Sequence, residues 1–248
     1  MELVSTIGNS EQIFATELST LSDSGAAVIH VRTNEPVRAI DTLRRTVLTS
    51  SDIYYEWDVI NGMRQYDLTN MHTGGGEADG VTNFNEALRR PMQKRAEFST
   101  ITDATIYFIF RSPQHWLGDN NPIALHLLQD YASSLPTSNM RVILLTPEFS
   151  LPESVSEGIM MVRLNPPSHK ELMVYLDDVL DGVSVEEEED YLTLSDDDKV
   201  KICQSAAGLT KIDFETHVSV SIVNREENDT SPLVNSILAG IGLSLIHI

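Results

Sequence analysis

Five short apolar runs punctuate the chain: Ala26–Val31, Ile53–Val59, Thr105–Phe110, Arg141–Thr146 and Ile159–Leu164. Three of them are continuous β-branched or aromatic stretches rather than alternating ones, which suits strands buried on both faces of a parallel sheet. Between the runs the apolar period changes to that of a helix. Val37, Ile40, Leu43 and Val47 form one stripe, and Ala124, Leu125, Leu128, Tyr131, Ala132 and Leu135 form another between Pro122 and Pro136. A third stripe, Leu172, Leu176, Val179 and Leu180, follows Ser168-His169-Lys170-Glu171, a capping box in which serine caps and glutamate reaches back. Strand and helix alternating at this spacing predict an α/β fold: a three-layer parallel sheet of about five strands flanked by helices.

The pattern changes after residue 183. Gly182–Asp190 contains four consecutive glutamates, which repel one another and read as a solvated linker or helix start. No convergent ligands favour a metal site there. Ser195 is placed to cap a helix whose first turn holds Asp196, Asp197 and Asp198, favourable at the positive end of a helix dipole. Thr210, with Asp213 three residues later, signals another helix start, yet Val218–Ile222 alternates like a strand, and local pattern leaves that conflict open. The expected organisation is an α/β domain over 1–183, an acidic linker over 184–193, a small helical lid-like part over 194–225, and a tail over 226–248 that is disordered or partly non-native. Gly240–Ile248 is apolar, and its end, Leu243–Ile248, reads as translated sequencing-adapter sequence; a genuine short C-terminal helix is the alternative.

Charge narrows the function classes. The 37 acidic against 17 basic residues give a net charge of -20, a field that repels nucleic acid and anionic membranes. Two basic clusters, Arg38/Arg44/Arg45 and Arg89/Arg90/Lys94/Arg95, read as solvated helix faces. A single cysteine, Cys203, excludes an internal disulfide and a cysteine-based zinc cage, and fits a reducing, cytoplasmic location. No secretory signal is visible at the N-terminus, and no apolar run approaches the ~18 residues of a membrane span.

The junction from the first strand into the first stripe, Arg32-Thr33-Asn34-Glu35-Pro36, is where a nucleotide-binding α/β protein would carry a glycine-rich phosphate loop and its lysine. No glycine occurs between Gly25 and Gly62, and the first lysine of the chain is Lys94. The only glycine cluster, His72–Gly80, lacks the lysine-serine/threonine ending and reads as a surface loop. Thr105–Phe110, where an acidic pair would hold magnesium, runs instead into Arg111. Thr146 could serve as a polar sensor at the end of the next strand, or simply turn the chain. Seven scattered histidines show no metal spacing, and no G-x-S-x-G elbow is present. The residues therefore assign no catalytic, cofactor-binding or metal position. Of two alternatives, a nucleotide-binding ATPase domain with an unusual anion site at Arg111 and Thr33–Asn34 would be opposed by Glu35, and a stand-alone α/β interaction module needs an acidic cluster or ligand crevice at the strand ends, where none stands out.

These features together resemble one family. Leu18–Gly25 leading into Ala26–Val31 and Thr33, Trp57 followed by Asn61-Gly62, Ile109–Trp116, Ile143–Pro147 with Leu151-Pro152, Val162–Pro166 with Glu171-Leu172, and Gly208-Leu209-Thr210 are similar to the N-terminal half of the chloroplast and cyanobacterial AAA+ ATPases. That family is also found in viruses, and its first module is degenerate. The resemblance runs from about residue 11 to about residue 223 and implies a P-loop-NTPase-like sheet. It also implies a non-catalytic module serving assembly or protein-partner contact, within a full-length protein that is an ATPase. A hydrolysing module, with its ATP and Mg, would follow beyond this chain, which would then be truncated. No functional residue of the family carries over.

Overall fold

The computed structural model describes residues 9–49, 51–66, 76–98, 104–134, 138–147, 150–184, 194–224 and 233–245. They fall into two compact units, Phe14–Leu164 and Met1–Ile13 with Asn165–Ile248.

The first unit is built on a six-stranded sheet. Its strands are β1 (Val28–Arg32), β2 (Ile53–Asp58), β3 (Gly62–Tyr66), β4 (Ile106–Arg111), β5 (Met140–Thr146) and β6 (Ile159–Arg163), in the order β3-β2-β4-β5-β1-β6. The five expected strands are present within two residues at each end, and every pairing among them is parallel. The sixth, β3, lies antiparallel on β2 at the edge of the sheet. Its outer edge is strapped by the chain that follows, Gly76 N donating to Gln65 O and Asp79 N to Met63 O. That strap is the described part of the glycine cluster; residues 72–75 lie outside the described residues.

Alternate side chains of the strands feed two cores. On one face Ile29, Val31, Tyr54, Tyr107, Ile109, Ile143 and Leu145 pack with Phe14 and Leu18 of α1 (Asn9–Asp23) and Ala39, Ile40 and Leu43 of α2 (Pro36–Thr46). On the other, Trp57, Phe108, Phe110, Val142 and Leu144 meet α3 (Phe84–Leu88), α4 (Arg90–Phe98) and α5 (Pro122–Ser134). Each large apolar side chain buried this way contributes about 1.5–3 kcal/mol, so helix, sheet and helix hold as three layers. Val37, expected in the α2 stripe, is instead exposed, and Ala39 joins Ile40 and Leu43 in the core. A single turn, α6 (Glu153–Ser156), precedes β6.

The second unit is helical. α7 (His169–Ser184), α8 (Asp196–Ser205), α9 (Lys211–Val223) and α10 (Leu233–Leu245) share one core, with Leu172, Leu176, Ile202, Phe214, Val218, Ile237 and Ile241 at its centre. The capping box forms: Ser168 N donates to Glu171 Oε2 at 2.6 Å and Glu171 N to Ser168 Oγ at 3.4 Å. Glu171 also accepts from Ser10 Oγ (2.7 Å) and Glu11 N (3.1 Å), so one carboxylate serves the first turns of α1 and α7. Ser195 and Thr210 cap α8 and α9 through the N–H groups of Asp198 and Asp213.

One open conflict is resolved here and two expectations change. Val218–Ile222 is helical, because the Thr210 cap fixes the first turn and Phe214, Val218 and Ile222 then share one buried face. α7 buries its apolar stripe with α8, α9 and α10, so the division falls after Leu164 rather than at residue 183. Within 226–248, expected as a tail, Leu233–Leu245 is a helix, held because Leu233, Val234, Ile237 and Ile241 recur at helical spacing and are buried. The glutamate run at 186–189 lies outside the described residues.

Candidate functional site

In a parallel sheet of this order the ligand crevice lies beyond the carboxyl ends of the strands. Here those ends are Arg32, Asp58, Arg111, Thr146 and Arg163.

The exit of β1 is closed by its own hydrogen bonds. Thr33 N donates to Thr146 O at 2.7 Å, and Glu35 N donates to Thr33 Oγ1 at 2.9 Å. Pro36, at the first helical position of α2, has no N–H to offer. A phosphate cradle needs several converging main-chain donors, and three positions of this five-residue junction are thus committed or lack one. Glu35 occupies the cap position of α2, but its side chain makes no capping hydrogen bond. Its carboxylate lies 2.7 Å from Arg38 Nη2, with the two side chains only 6% and 5% exposed.

The sensor position is likewise engaged. Thr146 Oγ1 is 2.7 Å from the Nε2 of buried His30 and 3.0 Å from Pro147 O, so the hydroxyl is turned onto protein groups. At the exit of β4, Arg111 Nη1 donates to Glu56 Oε1 at 3.0 Å, and Arg44 Nη2 from α2 donates to Glu56 Oε2 at 2.9 Å. Arg44 also lies 5.3 Å and 4.9 Å from the ring centroids of Tyr54 and Tyr66, which stack on each other at 4.8 Å, so its charge gains a cation–π attraction from that pair. Ser112, next along, has φ 52 and ψ 44. This left-handed conformation immediately before Pro113 is costly for a residue with a Cβ. It places Ser112 N on Leu145 O and turns the chain away from the strand end.

Asp58 caps the β2–β3 turn, accepting from Ile60 N and Asn61 N at 2.8 Å each and from Asn61 Nδ2. Burial raises this carboxyl, but the Asn61 and Ile60 hydrogen bonds and the nearby Arg111 charge outweigh it, and the net shift is downward. Three carboxylates at or beside these strands are therefore bound to arginines (Glu35, Glu56) or to a turn (Asp58). Among the described residues no group of three or more His, Cys, Asp or Glu is arranged to hold a metal ion. Magnesium held at this end of the sheet would need such carboxylates free to coordinate it.

The structure brings Thr33 and Thr146 together through one main-chain bond and sets Arg111 against Glu56, away from Thr33–Asn34. Glu56 and His30 were not singled out from the sequence, and Arg38 and Arg44, read there as part of a solvated helix face, are instead buried and half-buried in ion pairs with Glu35 and Glu56. The signal for Glu56 was present: a glutamate inside the apolar run IYYEWD needs a cationic partner when buried. The expected basic clusters are largely paired within the chain: Arg90 with Asp79, Lys94 with Glu97, and Arg95 with Ser134 O. His126 is exposed and Cys203 is buried. No helix among the described residues is long and apolar enough to cross a membrane.

Residues 14–164 match the profile of the SpoVK-like AAA ATPase N-terminal domain. No curated protein matches the sequence. Among solved structures, the E. coli MS115-1 HORMA:CdnC:Trip13 complex contains a chain that superposes with a TM-score of 0.61 at 9% identity, over 97% of this chain and 90% of that one. C. elegans PCH-2 gives 0.58 at 10% identity over 96% and 70%, and Rhizobiales Trip13 gives 0.53 at 10% over 93% and 87%. At these identities the likeness is one of fold.

Proposed function

Because the chain belongs to the SpoVK-like AAA ATPase N-terminal domain family, we propose that it is the non-hydrolysing AAA+ module of a longer ATPase. In this reading it serves assembly or contact with a protein partner in the cytoplasm, while a module outside this chain carries ATP, Mg and hydrolysis. The resemblance to chloroplast, cyanobacterial and viral AAA+ proteins, with their degenerate first module, supports the same division of labour.

The observation that carries this reading is the state of the β1 exit. The N–H of Thr33 is taken by Thr146 O and that of Glu35 by Thr33 Oγ1, Pro36 lacks one, and the Glu35 carboxylate adds negative charge at the junction, where a triphosphate would add more. A nucleotide would have to displace a buried ion pair and accept a like-charged neighbour. The alternative, a nucleotide site built on Arg111 and Thr33–Asn34, is disfavoured by the bond of Arg111 to Glu56. The E. coli fold neighbour was solved in a complex with HORMA and CdnC. That supports a protein-partner role only as an analogy of fold. Nucleic acid is an unfavourable partner at a net charge of -20.

Isothermal titration of the chain with Mg-ATP tests this. The expected outcome is no saturable heat; saturable binding in the micromolar range would overturn it.

A further inference from the structure

The two edges of the sheet differ. The outer edge of β3 is covered by the strap at Gly76 and Asp79, whereas β6, at the opposite edge, has no such cover among the described residues. Leu164 N donates to Arg32 O, so by the alternation of a strand Met160 and Val162 also face β1. Ile159, Met161 and Arg163 therefore turn their N–H and C=O groups outward. Among the described residues no hydrogen bond reaches Ile159 or Met161 from that side. Met160 and Met161 lie on opposite faces of the sheet and are 49% and 57% exposed, so both helical layers leave this strand half uncovered. Sheets usually guard a bare edge with proline, lysine or a bulge. β6 has neither residue, and it pairs with β1 one residue to one, without a bulge. Such an edge accepts another strand.

We propose that β6 is an interface between two copies of this chain, the two strands pairing antiparallel about a twofold axis at Met160 so that one sheet runs through both. The occupant is a second copy because this edge is complementary to itself. With Met160 opposite its counterpart, Ile159 and Met161 exchange main-chain hydrogen bonds with Met161 and Ile159 of the second copy. Glu157 and Arg163, both exposed, stand at opposite ends of the strand, so each Arg163 is brought beside the other copy's Glu157. A parallel arrangement would set like charges together instead. The methionine side chains are flexible enough to repack across the seam. The net charge of -20 opposes any meeting of two copies, but at 0.15 M salt that repulsion is screened beyond about 8 Å. Nothing in this pairing depends on whether the β1 exit binds nucleotide.

Sedimentation equilibrium of the whole chain over a concentration series, in about 0.15 M salt, tests it. A five-residue edge buries much less than the ~800 Å² per partner of a standard interface, so the expected dimer is weak, with a Kd on the order of 100 µM. Met161→Pro removes an N–H that points away from β1, a position where an edge strand tolerates proline, and is expected to leave a monomer with an unchanged circular dichroism spectrum. Glu157→Arg is expected to weaken the dimer about tenfold or more by opposing Arg163, and Glu157→Arg combined with Arg163→Glu to restore it. If Met161→Pro does not fold, the charge exchange decides, because Glu157 is exposed and lies outside the strand. A wild type that stays monomeric to about ten times that Kd, a dimer that survives Met161→Pro in a folded chain, or a charge exchange without recovery would each overturn the proposal. So would a monomer whose β6 edge instead binds a labelled peptide of alternating valine and lysine, which would give the edge to a different protein.

Discussion

Single charged residues decide what the strand ends of this sheet can do, and Glu56 is the most exposed to test. It joins Arg44 and Arg111 across two strands and a helix while almost fully buried. Glu56→Gln leaves both guanidinium groups without their counter-charge. Breaking a buried pair costs about 3–5 kcal/mol, and because both arginines keep some contact with water the loss here should be about 2–3 kcal/mol. Urea unfolding with an unchanged m-value would measure it. A loss under about 0.5 kcal/mol would mean that the arginines are solvated well enough alone. This residue also marks a limit of reading sequence. The run Ile53–Val59 was legible as a strand, but one strand's side chains do not reveal which residues from β4 and α2 will meet them. The charge inversion at Arg111 was visible; its neutralisation by Glu56 depended on register.

At the scale of elements, caps and continuous apolar runs were legible because both are local. The Ser168/Glu171, Ser195 and Thr210 signals all formed, and the five runs all became strands. β3 was missed because Gly-Met-Arg-Gln-Tyr carries no apolar run; only the Asn61-Gly62 turn announced it. That turn requires glycine: Gly62 has φ +78, and a Cβ there would meet Val81 N at 2.6 Å. A C-terminal helix was read only as the alternative to a non-native tail, and α10 starts well before it, because apolar residues near a chain end were read by origin rather than by period. Glu171 offers a test at this scale, since it serves two helix starts at once. Burial by itself would raise its carboxyl, but bonds from Ser168, Ser10 and the Glu11 N–H outweigh it and hold it below the ordinary 4.5. A carboxyl depressed in the folded state stabilises fully above its unfolded value and loses that contribution as pH falls through the folded one. Helical stability, followed by circular dichroism from about pH 7 down to about pH 3, should therefore decline below the ordinary glutamate range. Glu171→Gln should already be less stable at pH 7 and show a flatter decline. An unchanged pH profile in that variant would show that the carboxylate does not carry the linkage.

Among the described residues the buried apolar side chains form three clusters, two on the faces of the sheet of Phe14–Leu164 and one among α7–α10, and no residue of the helical cluster belongs to the sheet clusters. The sequence showed a change of pattern but placed the division too late, because the α7 stripe looks the same whether it faces a sheet or other helices. Both tryptophans, Trp57 and Trp116, lie in the α/β unit, whereas the far-ultraviolet helical signal comes from both units. The two probes can therefore be separated. Phe214 is fully buried in the helical core, and Phe214→Ala should remove about 3–5 kcal/mol there through lost transfer energy and the cavity left behind. Because each unit buries its own core, the transition seen at 222 nm should move to lower urea and become biphasic, while the tryptophan-fluorescence midpoint stays within error of the wild type. If both signals instead moved together in a single transition, the two units would unfold as one cooperative body. A module meant to hold its shape without a nucleotide would then draw the stability of its sheet partly from the helices.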